Sequence, residues 1–219
     1  MSPTASSAPP STADRIALQI DKLCFGYPQR PLFDNLSLTI GAGVTLLRGD
    51  DGSGKTTLLR LLSGDLQADS GGLSIHGVAL HDQRTRYQSQ VFWIDVRTQA
   101  FDQVTAEEYW RGVQAKHAAF DPQALPDLIV GLSLAEHAHK PLTMLSTGSR
   151  RKVWLAAAFA ANAPVTLLDD PFAALDKPSI QFMLALLHDA ATRLQRSIVI
   201  ADYTAPPGVP LSAVIELPG

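Results

Sequence analysis

The sequence predicts an α/β fold: a phosphate-loop core with a mixed or parallel sheet, an N-terminal antiparallel β subdomain and an inserted α-helical subdomain. Three observations carry that prediction. Val44-Thr45-Leu46-Leu47-Arg48 is an apolar, β-branched run of strand length; it leads into Gly49-Asp50-Asp51-Gly52-Ser53-Gly54-Lys55-Thr56, and then into Thr57-Leu58-Leu59-Arg60-Leu61-Leu62, whose leucines fit a buried helix face. Alternating runs at residues 16–20 and 36–40 come before this unit and read as a short antiparallel sheet. A helical stretch from Thr105 to about Leu142 separates it from apolar strands at residues 165–168 and 197–201.

Strand, glycine loop and helix together form a cradle for a polyphosphate. The glycines let backbone N–H groups turn inward, the helix N-terminus adds partial positive charge, Lys55 reaches the β- and γ-phosphates, and Thr56 is suited to hold Mg²⁺. Gly49, Gly52, Ser53, Gly54, Lys55, Thr56 and Thr57 are therefore the candidate binding residues of this stretch.

The 219-residue chain suits one domain with an inserted subdomain and is ample for a sizeable core. A net charge of −3 leaves no electrostatic footprint for nucleic acid, and the short cluster Arg150-Arg151-Lys152 does not supply one. Nucleic acid is not an expected partner. Cys24 is the sole cysteine, which excludes an intrachain disulfide and is compatible with a reducing cytosol. The best membrane candidate, residues 153–168, is broken by Asn162 and Pro164, so work at a membrane requires a separate anchor.

Taken in order, residues 1–14 are rich in Ser, Thr, Ala and Pro and read as a disordered tail before a domain at 15–219. Tyr27, held extended before Pro28, is a candidate ring for a flat ligand. Residues 69–72 read as a turn, 73–75 as a short strand and 91–94 as a buried strand. The helical subdomain spans about residues 100–160; Thr105 and Glu108 have capped-start spacing, and residues 125–132 carry apolar positions at helical period. His117, His137 and His139 lack metal-ligand spacing and are expected at the solvated surface. Ser146 or Ser149 is placed to cap the alanine-rich helix that follows. The run ending in Asp169-Asp170 puts two carboxylates at a strand end, where Asp169 is placed to reach Mg²⁺ opposite Thr56. Residues 214–217 allow at most one last strand.

This order of pieces over roughly residues 16–202 resembles an ATP-binding cassette nucleotide-binding domain, the P-loop ATPase module of ABC transporters. Tyr27 matches the aromatic residue that stacks on adenine, residues 49–56 the Walker A loop and Asp169 the Walker B aspartate. Leu145-Ser146-Thr147-Gly148-Ser149 is similar to the signature motif, with Leu145, Ser146 and Gly148 kept, and Ala174-Leu175-Asp176 to the D-loop. The resemblance implies ATP and Mg²⁺ as ligands and a second ATP-binding domain, as homodimer or heterodimer, whose signature contacts the γ-phosphate held by the other copy. It also implies an integral membrane transporter subunit, with the domain cytoplasmic and peripheral on the inner membrane.

The departures from the family pattern surround the γ-phosphate. Asp170 stands where the family carries a catalytic glutamate, and Asp202 where it carries a switch histidine; with Lys55 these are the candidate catalytic residues. At about 5 Å and an effective dielectric near 20, a carboxylate and one phosphate charge repel by roughly 3 kcal/mol, so Asp202 must turn away, be protonated or impair the site. Asp95 stands where a glutamine ligand is usual, with Gln99 as substitute if the loop shifts, so the candidate metal residues are Thr56, Asp169 and Asp95. Asp50 and Asp51 are expected to face solvent. The leading expectation is an ATP-binding transporter subunit that binds and hydrolyses MgATP; the alternative is a catalytically degenerate clamp or regulatory cassette.

Overall fold

The computed structural model describes residues 16–218; the expected tail at residues 1–14 lies outside them. Two sheets enclose one helix. β1 (Ile16–Tyr27), β2 (Arg30–Gly41), β4 (Ser70–Ile75) and β5 (Val78–Ala79) form an antiparallel sheet in the order β2-β1-β4-β5. β3 (Gly43–Arg48), β6 (Val91–Phe92), β7 (Val165–Asp169), β8 (Ser197–Ala201) and β9 (Ala213–Glu216) form a parallel sheet in the order β6-β7-β8-β3-β9. The expected turn at residues 69–72 is corrected here, because Ser70 already begins β4. Gly71 sits there at φ 95, and a Cβ on it would lie 2.4 Å from the Lys22 carbonyl, so glycine lets β4 close on β1 at a register shift.

α1 (Lys55–Leu62) lies between the two sheets. Its Leu58, Leu59, Leu61 and Leu62 are fully buried against Leu18, Ile20 and Leu23 on one side and Val165, Leu167 and Val199 on the other. The opposite face of the parallel sheet, with Val44, Leu168, Ile198 and Ile200, belongs to a second cluster that includes α5 (Thr147–Ala160) and α6 (Lys177–Arg193). Coverage on both faces explains why β3, β7 and β8 read as continuous apolar runs instead of alternating ones. The loop before α1 is thereby anchored at both ends in rigid structure.

The helical subdomain contains α3 (Ala106–Lys116) and α4 (Leu125–Gly131), with single 3₁₀ turns at Ala135–His137 and Leu142–Met144. Thr105 and Glu108 form a full capping box at the start of α3, as their spacing predicts. Tyr109 meets Trp154 of α5 edge-on with ring centroids 4.5 Å apart, a geometry worth about 0.5–1.5 kcal/mol beyond area burial. Trp110 Nε1 donates to the Val153 carbonyl at 3.1 Å, tying α3 to the same helix. His117 is not at the surface: it is 3% exposed, with its ring 5.9 Å from Phe92, and burial pushes its pKa down. The remaining short helix, α2 (Arg84–Gln88), buries Tyr87 and sends its hydroxyl to the Leu62 carbonyl at the end of α1, at 2.7 Å. Among the described residues no helix is long and apolar enough to cross a membrane.

Candidate functional site

β3 ends at Arg48 and releases the chain into a loop whose Gly52 and Gly54 take φ 79 and 99, a left-handed path that L side chains rarely adopt. Gly54 caps α1 with its backbone and leaves the first turn open toward the cleft. Lys55 folds back over the loop, and its ammonium donates to the carbonyls of Gly49 at 2.5 Å and Asp50 at 3.0 Å. Ser53 is buried beneath, with its Oγ lacking a partner, and a Cβ on Gly49 would approach that oxygen to 2.4 Å. Gly49 therefore clears space inside the loop. It does not line the cleft.

Across the sheet, Thr56 Oγ1 donates to Asp169 Oδ2 at 2.7 Å, over a sequence separation of 113 residues. The contact follows from strand order: β8 lies between β3 and β7, so the start of α1 reaches over β8 to the C-terminal end of β7. Burial pushes the Asp169 carboxyl pKa up, with the Thr56 hydrogen bond opposing that shift. Two oxygens facing one point suit a hard cation such as Mg²⁺, which takes one or two carboxylates and completes its shell with phosphate oxygens and water. Among the described residues no group of three His, Cys, Asp or Glu side chains is placed to hold a metal ion.

The cleft above this pair has a volume of about 740 Å³ and is lined by Tyr27, Lys55, Thr56, Thr57, Asp169, Asp170 and Asp202 among others. Tyr27 ends β1 as an exposed residue, with its ring edge-on to Phe25 and its hydroxyl 3.5 Å from Thr57 Oγ1. An accessible aromatic ring, a glycine loop and paired carboxylates lining one cleft fit a nucleoside polyphosphate. Residues 33–173 match the family model for ABC transporters.

The chain belongs to the ABC transporter family. It is an ATP-binding subunit of that family, a P-loop ATPase. Over 152 residues it is 35% identical to the cytochrome c biogenesis ATP-binding export protein CcmA of Pseudomonas fluorescens, covering 69% of this chain and 72% of that one. It is 27% identical over 190 residues to the manganese transport system ATP-binding protein MntB of Bacillus subtilis, covering 84% and 76%. Its fold is similar to the solved ATP-binding subunit of an ABC transporter, at TM-score 0.77 and 23% identity over 85% of this chain and 79% of that one. A second ABC transporter ATP-binding protein, from Pyrococcus furiosus, matches at TM-score 0.73 and 24% identity, covering 91% and 96%. ABC ATP-binding subunits dimerise and work with membrane subunits.

Within this ABC domain the structure separates the expected site residues into two groups. Tyr27, Gly52, Gly54, Lys55, Thr56, Thr57, Asp169, Asp170 and Asp202 line the cleft. Gly49, Ser53, Ser146, Gly148 and Asp95 do not. Asp95, expected at the metal, accepts the Arg97 N–H on Oδ1 at 2.9 Å and does not line the cleft, whereas Gln99 does. Ser146 caps α5 by accepting the Ser149 N–H at 3.1 Å. Gly148 sits against the chain after β7, where a Cβ would lie 2.4 Å from the Ala174 carbonyl. Leu145 and Thr147 of the same segment do reach the cleft.

At the end of β7, Asp170 adopts φ 46 and burial pushes its carboxyl pKa up; Arg151 opposes that shift and Asp202 adds to it. Asp202 Oδ1 accepts the N–H groups of Tyr203 at 2.6 Å and Thr204 at 3.4 Å, so its carboxylate is engaged with its own turn. Sequence reasoning missed three contributors. Arg151 donates to the carbonyls of Asp169 and Asp170 and holds the strand end. Arg30 donates to the Gly52 carbonyl at 2.8 Å and pins the loop from β2. Tyr203 reaches back so that its ring centre lies 4.3 Å from the Lys55 ammonium and its hydroxyl donates to Asp51, which is exposed but not free. The basic cluster near Arg150 was visible as composition; nothing in the sequence aimed Arg30 or Tyr203 at the loop. Finally, Lys152 is nearly buried and pairs with Asp176 at 2.5 Å; the Lys152 hydrogen bond comes first among the causes that bring the Asp176 carboxyl down to about 2.

Proposed function

We propose that MgATP occupies this cleft with its adenine on Tyr27, its phosphates on the loop of residues 49–57 and its metal between Thr56 and Asp169. The observation that carries the reading is the Thr56–Asp169 hydrogen bond, because it brings the hydroxyl of the phosphate loop and the carboxylate of β7 to one point. Bound Mg²⁺ would neutralise charge on the phosphate oxygens.

The residues of the chain would do the rest. Lys55 exchanges the Gly49 and Asp50 carbonyls for phosphate oxygens, which are stronger partners for an ammonium. Asp170, with its raised carboxyl pKa and its main chain held by Arg151, orients the attacking water and accepts its proton. Its side chain is one methylene shorter than glutamate, so slow turnover is expected. Asp202, already satisfied by the turn that follows it, takes no direct part. Ser146 and Gly148 would meet nucleotide held by a second ATP-binding domain, and a separate membrane subunit would receive the closure of the pair. Identity to the export proteins named for cytochrome c biogenesis, 35% against 27% for the manganese system protein, supports an export system of that kind.

Calorimetry tests the reading. The wild-type chain should bind ATP with Mg²⁺ and lose much of that affinity in EDTA, and Lys55→Ala should abolish both binding and phosphate release. Binding indifferent to EDTA and to Lys55→Ala would place the nucleotide elsewhere and refute the proposal.

A further inference from the structure

Tyr203 lines the cleft, and neither the sequence motifs nor the proposed chemistry gives it a task. It follows β8, whose last residue, Ala201, is in register with Asp169 of β7, so it sits beside the carboxylates of the cleft. The residue is 49% exposed and is not part of either apolar core, so packing does not explain its position. Instead the ring faces the Lys55 ammonium at 4.3 Å, and the hydroxyl donates to the carboxylate of Asp51 on the phosphate loop.

Two consequences follow from elementary chemistry. Any anion that binds Lys55 must come within contact range of a group that already touches that ammonium. In addition, the phenol is presenting its proton to an anionic oxygen at the loop, and a phosphate oxygen is an acceptor of the same kind. Hydrogen bonding to Asp51, together with burial and the neighbouring carboxylates Asp170 and Asp202, pushes the phenol pKa up to about 12, so Tyr203 stays a donor throughout the neutral range. Asp202 is not available for this task, since an ionised carboxylate donates nothing and its Oδ1 is held by the Tyr203 and Thr204 N–H groups.

We propose that Tyr203 is a phosphate-binding residue: its hydroxyl leaves Asp51 when a nucleoside triphosphate enters and donates to the terminal phosphate, so that the chain distinguishes triphosphate from diphosphate. The inference rests on the nucleotide site proposed above and adds to it the group that reads the terminal phosphate.

Titration calorimetry of wild type and Tyr203→Phe with ATP and with ADP tests it. The variant keeps the ring over Lys55 and removes one donor at an exposed position, so folding should be retained and is checked by its thermal transition. Because the hydroxyl gives up Asp51 to reach the phosphate, only the difference between the two acceptors counts, and the greater charge on a terminal phosphate predicts a loss of roughly three- to tenfold in ATP affinity, with ADP affinity unchanged. Equal ATP affinities in variant and wild type, or equal tightening of ATP and ADP, would overturn the inference while leaving the nucleotide site standing; the second result would mark Tyr203 as an obstruction. If wild type binds neither nucleotide, the site reading and the inference fail together.

Discussion

Gly148 offers a test of how the cleft is held together. It lies in the first turn of α5 with its Cα facing the chain that follows β7, and an added Cβ would stand 2.4 Å from the Ala174 carbonyl, a distance that real Cβ atoms do not show. The opposing segment has little room to give, because Ala174 already occupies the left-handed region at φ 59 and Asp170 does so at φ 46. Overpacking of this kind costs about 1–3 kcal/mol. Gly112 supplies the control: it is an exposed residue inside α3 with nothing within 4 Å of an added Cβ, so Gly112→Ala should gain about 0.5–1 kcal/mol from helix propensity alone. For a domain of this size each kcal/mol moves the midpoint by roughly 2–4 °C, so Gly148→Ala should melt several degrees below Gly112→Ala. The same displacement acts on Asp170, and an error of about 1 Å there can cost on the order of a hundredfold in rate. Thermal unfolding and phosphate release on the two variants measure both effects. Gly148→Ala with the stability of Gly112→Ala and wild-type turnover would refute the argument, because the segment would then yield freely.

Two further outcomes follow from the ionisable groups. Burial raises the Asp169 carboxyl pKa, so its charged form costs stability above the folded pKa and costs nothing below the unfolded value of about 4. Nucleotide-free Asp169→Asn should therefore melt above wild type at pH 7, with the gap closing as pH falls toward 4, while the Mg²⁺-dependent part of ATP stabilisation disappears. Asp176 has the opposite sign: with its pKa lowered to about 2, its contribution is complete above about pH 4 and is lost as pH falls toward 2. Asp176→Asn leaves the buried Lys152 ammonium unpaired; because Asp176 itself is half exposed, the expected cost at pH 7 is about 1–2 kcal/mol, less than for a fully buried pair. Melting curves at pH 7 and pH 3 check the loss and its decline.

Local chemistry made much of this protein legible in its sequence. The loop from Gly49 to Thr56 needs glycine conformations and a helix start within one short stretch, so its spacing is diagnostic before any fold is known. The capping box of Thr105 and Glu108 and the buried runs of β3, β7 and β8 are likewise short-range patterns, set by hydrogen bonds within a turn and by burial on both faces of a strand. Tertiary structure decided the rest. Thr56 meets Asp169 only because β8 is inserted between β3 and β7, a sheet order that no local period encodes. His117 is buried, Asp95 faces its own loop, and Arg151, Arg30 and Tyr203 converge on the cleft because of partners distant in sequence or the precise turn each backbone takes. Side-chain type fixes which bonds such residues are able to make; which bonds form depends on neighbours that folding delivers.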